Sequence, residues 1–216
     1  RRMSELRFRR ILRRMQDHVV LCGYGRIGKE IAEQLQSEGV QIIIVELDSS
    51  RKTSAEEKGF NVLLADATQD ETLILAGIKQ CKSLIVALPN DAANLYVILS
   101  ARELNPSCRL ISRAENEEAV NKLKLAGASV VVSPYVAAGR TMAATALRPI
   151  AVDFLDLLAG SKCEIEEFFL STDPNEFNYF DSLSLSGLEL GKRSGAMILA
   201  IRDDTQLIAN PPPDIE

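Results

Sequence analysis

From residue 18 to about 132 the chain alternates short runs of apolar, β-branched residues with segments whose apolar positions recur at helical spacing. HVVLC (18–22), QIIIVE (41–46), NVLLA (61–65), SLIVAL (83–88), RLIS (109–112) and SVVVS (129–133) read as six strands. GRIGKEIAEQLQSEG reads as a helix ending at Gly39, and further helices are predicted near 50–58, 70–76, 91–104 and 116–125. The strands are apolar along their whole length, so both sheet faces must be covered, which calls for a parallel sheet. Right-handed crossovers then give an α/β, Rossmann-type doubly wound architecture. Gly39, Gly59, Gly77 and Gly127 follow helical segments, where a left-handed cap is expected.

The flanks differ. After Pro134 an Ala-, Leu- and Met-rich helical stretch runs to about Ala159, with a kink or break expected at Pro149. Its composition suits burial against a partner. Beyond Gly160, CEIEEFFLS reads as a strand, and the remainder as a short helix, a strand, a turn and a strand. The first sixteen residues hold seven arginines, with Met3, Leu6, Ile11, Leu12 and Met15 as a loose helical stripe. They read either as a solvated helical extension or as a positively charged connector beneath a membrane. The domain reading is therefore a basic linker helix (1–16), a Rossmann domain (17–134), crossover helices (135–160) and a small, truncated α+β lobe (161–216).

Composition narrows the function. A 46 % hydrophobic content supports a real core, and a net charge of −5 argues against nucleic-acid binding. No apolar run approaches the roughly 18 residues of a membrane helix, and no signal peptide is visible. Cys22, Cys81, Cys108 and Cys163 have no metal-ligand or redox spacing and read as reduced, mostly core thiols.

The first strand runs into Gly23-Tyr24-Gly25-Arg26-Ile27-Gly28, a GxGxxG that opens a helix. That context is what dinucleotide binding requires: Gly23 for the tight turn, Gly25 for close approach of a pyrophosphate, Gly28 for helix–strand packing. N–H groups at the helix start then face the phosphates. Glu46 ends the second strand 23 residues after Gly23, where an acid accepts from a ribose hydroxyl. Asp48, after Leu47, is the rival for that role. An acid there repels a 2′-phosphate, so NADP is disfavoured. Asp66-Ala67-Thr68 follows the third strand, and Asp66 suits either an adenine amino group or a helix cap. Ala87 and Leu88 end the fourth strand beside the glycine loop. Arg26 and Arg113 suit either phosphate oxygens or surface salt bridges.

A catalytic constellation is not legible. The single histidine, His18, starts the first strand, at the wrong end of the sheet for nicotinamide chemistry. No triad, HExxH or CxxC stands out. A site that binds a nucleotide and leaves it unchanged is a sensor rather than an enzyme, with a small NAD-dependent oxidoreductase as the alternative.

These segments carry a more specific signal. HVVLCGYGRIGKEIAEQL, IIIVELD, LLADATQDETLILAGI, LIVALPNDAANLYVILSAREL and LKLAGASVVVSPYVAAGRTMA resemble the RCK family, also called TrkA-N or KTN domains, across about residues 17–158. GLELGKRSGAMILAIRDDTQLIANPPPD resembles part of the companion TrkA-C domain. The resemblance implies a regulatory, gating domain of a potassium channel at the cytoplasmic face of the cell membrane. A regulatory part of a potassium transporter or cation–proton antiporter is its alternative. It implies dimerisation through the helix near 135–150 and, in many members, an octameric ring under the pore. Its ligand classes are NAD(H), ATP, ADP, AMP and divalent cations, and the nucleotides would be held here by Gly23, Gly25, Gly28 and Arg26 (phosphates), Glu46 (ribose), Asp66 and Thr68 (adenine side), and Arg113. Where calcium-gated members place acids, this chain has Ala87 and Arg113, with only Glu115 retained, and where some transporter regulators place one it has Tyr135, so no metal site is expected.

Overall fold

The computed structural model describes residues 17–150, together with Phe8, Leu12, Met15, Val152, 198–202, 207–209, 211 and 212. The chain divides into two units, Arg1–Asp156 and Leu157–Glu216. Cys163, the expected strand CEIEEFFLS and the expected short helix after it lie outside the described residues.

In the first unit six parallel strands form one sheet, ordered β3-β2-β1-β4-β5-β6. They are β1 (Val19–Cys22), β2 (Ile42–Glu46), β3 (Asn61–Leu64), β4 (Ser83–Val86), β5 (Arg109–Arg113) and β6 (Val130–Val132). The helices are α1 (Arg26–Ser37), α2 (Ser49–Glu57), α3 (Asp70–Leu75), α4 (Asp91–Leu104), α5 (Glu117–Leu125) and α6 (Pro134–Leu147), with a 3₁₀ turn at Ile78–Gln80. The strand order reverses between β1 and β4, which pair in register from Val19↔Ser83 to Cys22↔Val86. That reversal opens a crevice at the carboxyl ends of the strands. The predicted doubly wound α/β class and all six strands are present. Gly39, Gly59, Gly77 and Gly127 all take positive φ, as expected.

Alternation along each strand splits the core into two layers. Val20, Cys22, Ile43, Val45, Leu84, Val86 and Leu110 face α3, α4 and α5, where Leu73, Val97, Ile98, Ala101 and Leu123 meet them. Leu21, Ile42, Ile44 and Val62 face the other way, toward Ala32 of α1 and Ala55 of α2. Burying one such Leu or Ile contributes about 1.5–3 kcal/mol.

Phe8, Leu12 and Met15 of the basic leader are buried in the first of these layers. Their spacing is i, i+4, i+7, one stripe of a helix, and Phe8 and Leu12 are helical. The expectation of a solvated extension therefore fails at these three residues. Phe8 joins Leu12 and Met15 in the buried stripe, although arginines flank it in the sequence. Pro134 opens α6, and α6 ends at Leu147, with Arg148 as its cap before Pro149. The break expected at Pro149 is real: proline rejects helical backbone in the residue before it and cannot continue the ladder. In the second unit β7 (Ala200–Arg202) and β8 (Leu207–Ala209) pair antiparallel, Ile201 opposite Ile208, matching the two expected strands; the turn expected between them lies outside the described residues.

Candidate functional site

The crevice is built around the turn from β1 into α1. Gly23 sits at φ 97°, left-handed backbone that a side chain rarely adopts, and a Cβ there would lie 3.0 Å from the Ala87 carbonyl oxygen. Gly28 is needed for a different reason: a Cβ on it would lie 2.0 Å from the Gly23 oxygen. Gly25 faces open space; the atom nearest to where a Cβ would stand is Arg51 Nη1, at 3.9 Å. Gly25 is also the N-cap of α1, and no side chain caps that end. The first-turn N–H groups have no intrahelical acceptor, so they point into the crevice beside the bare flank of Gly25. By contrast Asp48 caps α2, accepting from the Ser50 and Arg51 amides, and Asn90 caps α4.

Glu46 is buried at the end of β2, and its carboxylate is heavily used. Oε2 accepts from the Tyr24 amide at 2.6 Å, and Oε1 accepts from the Leu47 and Asp48 amides at 2.8 and 2.9 Å. The Arg51 guanidinium stands 3.9 Å from Oε2. Glu46 therefore reaches the glycine loop, while its rival Asp48 is committed to α2. The Ser50 hydroxyl and the Arg51 and Ser50 amides hold the Asp48 carboxyl below its ordinary range.

Other expected site residues divide. Ala87 and Leu88 line the crevice: the Ala87 amide donates to the Cys22 carbonyl, and Leu88 Cδ2 lies 3.3 Å from the Cβ position of Gly23. Arg26 is exposed at the first position of α1 and makes no side-chain hydrogen bond or ion pair among the described residues. Ile27 is half-buried beside it. The Tyr24 ring is turned away, packed edge-on against Phe60 in the core, so only its backbone serves the loop. Asp66 does not cap α3, whose N-cap is Gln69. It closes a local turn instead, its Oδ1 accepting from the Thr68 amide and hydroxyl at 2.9 and 2.8 Å, with Ala67 buried between them. Arg113 pairs with Glu115, the salt-bridge outcome, though its Nε is buried without a partner.

Two residues carry no mark in the sequence. Asn94 of α4 is fully buried, exchanges hydrogen bonds with the Leu88 backbone at 3.1 and 3.2 Å, and donates to the Arg113 carbonyl at 3.3 Å. It ties the ends of β4 and β5 together below the crevice. Asp91, at the start of α4, accepts from the Glu115 and Asn116 amides and anchors the next loop. A polar residue just after a helix cap gives no local sign of such long-range bonds. Cys22 lies directly behind the loop, fully buried, its thiol pushed up to about 12 by burial; it is a packing residue. Cys81 and Cys108 are also buried, their sulfurs 3.5 Å apart.

Comparison with known proteins decides the family. The TrkA-N domain model matches residues 19–134, more than half of the chain. This chain belongs to the TrkA-N domain family. Similarity runs beyond that domain in one relative, the probable potassium channel protein 2 of Methanocaldococcus jannaschii, 36 % identical over 213 residues. The match covers 94 % of this chain and 61 % of that protein, so the chain spans about three fifths of that relative's length. The TrkA-N domain of inner membrane protein ybaL from Escherichia coli superposes with a TM-score of 0.57 at 30 % identity. It covers 59 % of this chain and 95 % of that one. The GsuK channel bound to NAD superposes with a TM-score of 0.56 at 26 % identity, covering 92 % of this chain and 34 % of that one. No helix among the described residues of this TrkA-N protein is long and apolar enough to cross a membrane.

Proposed function

We propose that this protein is the nucleotide-sensing regulatory domain of a potassium channel, working at the cytoplasmic face of the membrane. It binds NAD(H) or an adenine nucleotide (ATP, ADP or AMP) in the β1–β4 crevice. The observation that carries the reading is the uncapped start of α1 beside the open flank of Gly25, with the Glu46 carboxylate bonded to the same loop. Phosphates meet the helix amides and Arg26, and Glu46 meets the sugar. The GsuK channel's NAD complex supports the ligand class.

The site binds without transforming. His18 lies before β1, at the opposite end of the sheet, and the crevice residues named above offer no histidine or lysine as an acid–base group. The channel reading is favoured over an antiporter subunit because the Methanocaldococcus channel match is 36 % identical through 94 % of this chain, whereas the match to the whole Escherichia coli cation/proton antiporter YbaL is 31 % identical through 58 %. We further propose a homodimer through α6, whose Tyr135, Met142 and Leu147 are exposed and none of whose residues is buried in one chain. Such dimers would assemble into a ring beneath the pore.

A ligand shifts a gate only by its differential affinity for the two states. A tenfold preference supplies about 1.4 kcal/mol per site, and several sites add. Calorimetric titration with NADH, ATP, ADP and AMP is the test. At least one should bind, and Gly25→Asp, which puts a carboxylate against the phosphate position, should abolish binding. Absence of binding to the wild type, or undiminished binding by the variant, sinks the reading.

A further inference from the structure

Arg51 lies in the first turn of α2, outside the glycine motif and five residues beyond Glu46. Its Nη1 is 3.9 Å from Glu46 Oε2 and 3.9 Å from where a Cβ on Gly25 would stand. One guanidinium therefore spans the gap between the sugar-side carboxylate and the open flank of the phosphate loop. Its root is pinned, because the Arg51 amide donates to the Asp48 carboxylate at 3.0 Å. Its side chain is 51 % exposed, so it can swing.

The acceptor count at Glu46 makes this position consequential. An ionised carboxylate offers about four lone-pair sites. The Leu47 and Asp48 amides take both on Oε1, and the Tyr24 amide takes one on Oε2. One site remains, and Arg51 is the cation beside it. A ribose hydroxyl needs that same site. Sugar and Arg51 thus compete for Glu46 until something draws the guanidinium away. A phosphate seated against Gly25 does so, since it is charged and matches the planar donor fork.

We propose that Arg51 is the specificity-determining residue of the site, a latch that moves from Glu46 onto the phosphate of the incoming ligand. Its departure leaves the last acceptor position of Glu46 to the sugar. The site then selects 5′-phosphorylated adenosine, alone or as half of a dinucleotide, over the unphosphorylated nucleoside. This proposal rests on the nucleotide-binding reading above.

The test compares ADP and adenosine on the wild type, Arg51→Gln and Arg51→Lys, with ADP read by calorimetry and adenosine by ligand-observed NMR. Arg51→Gln should weaken ADP by about tenfold or more while adenosine binds as tightly as to the wild type or more tightly, because its competitor for Glu46 is gone, and Arg51→Lys should recover part of the ADP loss. The melting temperature of unliganded Arg51→Gln should match the wild type, because the side chain is exposed. If Arg51→Gln binds ADP as the wild type does, or loses ADP and adenosine by the same factor, the latch is overturned while nucleotide binding stands. If the wild type binds no ADP, no AMP and no NADH, the nucleotide reading itself has failed and the latch falls with it.

Discussion

The Tyr24 amide donates a 2.6 Å hydrogen bond to the Glu46 carboxylate, joining the glycine loop after β1 to the end of β2. Two roles meet in that acid. It is placed to recognise a sugar, and it is also the side-chain acceptor for three amides of the crevice wall, those of Tyr24, Leu47 and Asp48. Glu46→Ala should therefore cost stability as well as ligand. A buried donor left unpaired costs roughly 1–3 kcal/mol, and water can reach the two loop amides, so a total near 3 kcal/mol is expected. Glu46→Gln keeps one acceptor oxygen and should cost about half as much. Urea denaturation of the two variants checks this, and an alanine variant within about 0.5 kcal/mol of wild type would contradict it.

The glycines of one motif should separate cleanly into fold and ligand roles. A methyl on Gly28 would stand 2.0 Å from the Gly23 oxygen and 2.9 Å from its carbonyl carbon, both backbone atoms that cannot step aside. Gly28→Ala should push α1 off the sheet and cost about 1–3 kcal/mol. Gly25 has φ −76° and open space, so Gly25→Ala strains nothing. It should melt within about 0.5 kcal/mol of wild type yet bind nucleotide more weakly, because the methyl occupies the phosphate flank. Melting curves and calorimetry on the same two variants give the answer, and equal stability losses would refute the division.

Much of this is legible in the sequence because the governing physics is local. Runs such as the IIIV of QIIIVE are apolar at every position, as a strand covered on both faces requires, and the six runs appear as β1–β6. The GxGxxG context and Glu46 can be found because turn geometry dictates glycine at fixed offsets. What stays hidden depends on contacts distant in sequence. Asn94 bonds to Arg113, 19 residues away, and looks in the sequence like any polar helix residue. Arg51 sits in SSRKTSAEE, a helix with almost no apolar face, where one more charge carries no signal. Phe8, among arginines, packs against strands that come much later. Asp66 suits a cap in the sequence because an Asx turn and an N-cap use the same side chain with the same local reach; the structure chooses the turn.

Asn94 holds the carboxyl ends of β4 and β5 at the spacing that shapes the crevice, and its removal should be felt there. Asn94→Ala takes partners from the Leu88 amide and from the Leu88 and Arg113 carbonyls. A loss of about 2–3 kcal/mol is expected, near the upper end for one buried hydrogen-bonding group. Hydrogen exchange should show faster opening at Leu88, with β2 unaffected. Unchanged exchange at Leu88 would speak against this role.

The exposed face of α6 makes a prediction about assembly. Tyr135, Met142 and Leu147 are 61 %, 74 % and 80 % exposed in the single chain. If they meet a second copy, Met142→Glu buries an unpaired charge at the interface, a cost of several kcal/mol. The mass measured by light scattering should fall from dimer to monomer, while the melting of the β1–β6 domain changes little. A wild-type monomer at micromolar concentration would reject the dimer.

His18 sets a pH dependence whose sign follows from its surroundings. The ring is fully buried, Nε2 lies 3.0 Å from the Ala76 carbonyl, and Nδ1 has no partner. The neutral ring with its proton on Nε2 satisfies that carbonyl; a second proton on Nδ1 would be charged, buried and unbonded. Burial therefore lowers the pKa from 6.5, against smaller opposing effects of the Ala76 carbonyl and Asp17. The folded state resists a proton that the unfolded chain accepts, so the contribution is fully present above 6.5 and is lost as the pH falls through the lowered folded-state value. Within that window the slope is at most about 1.4 kcal/mol per pH unit. His18→Gln keeps a donor for Ala76 and cannot titrate. Urea unfolding at several values between about pH 5 and 7.5 should show a steeper decline for wild type than for the variant. Parallel curves would mean that His18 takes up its proton as readily folded as unfolded.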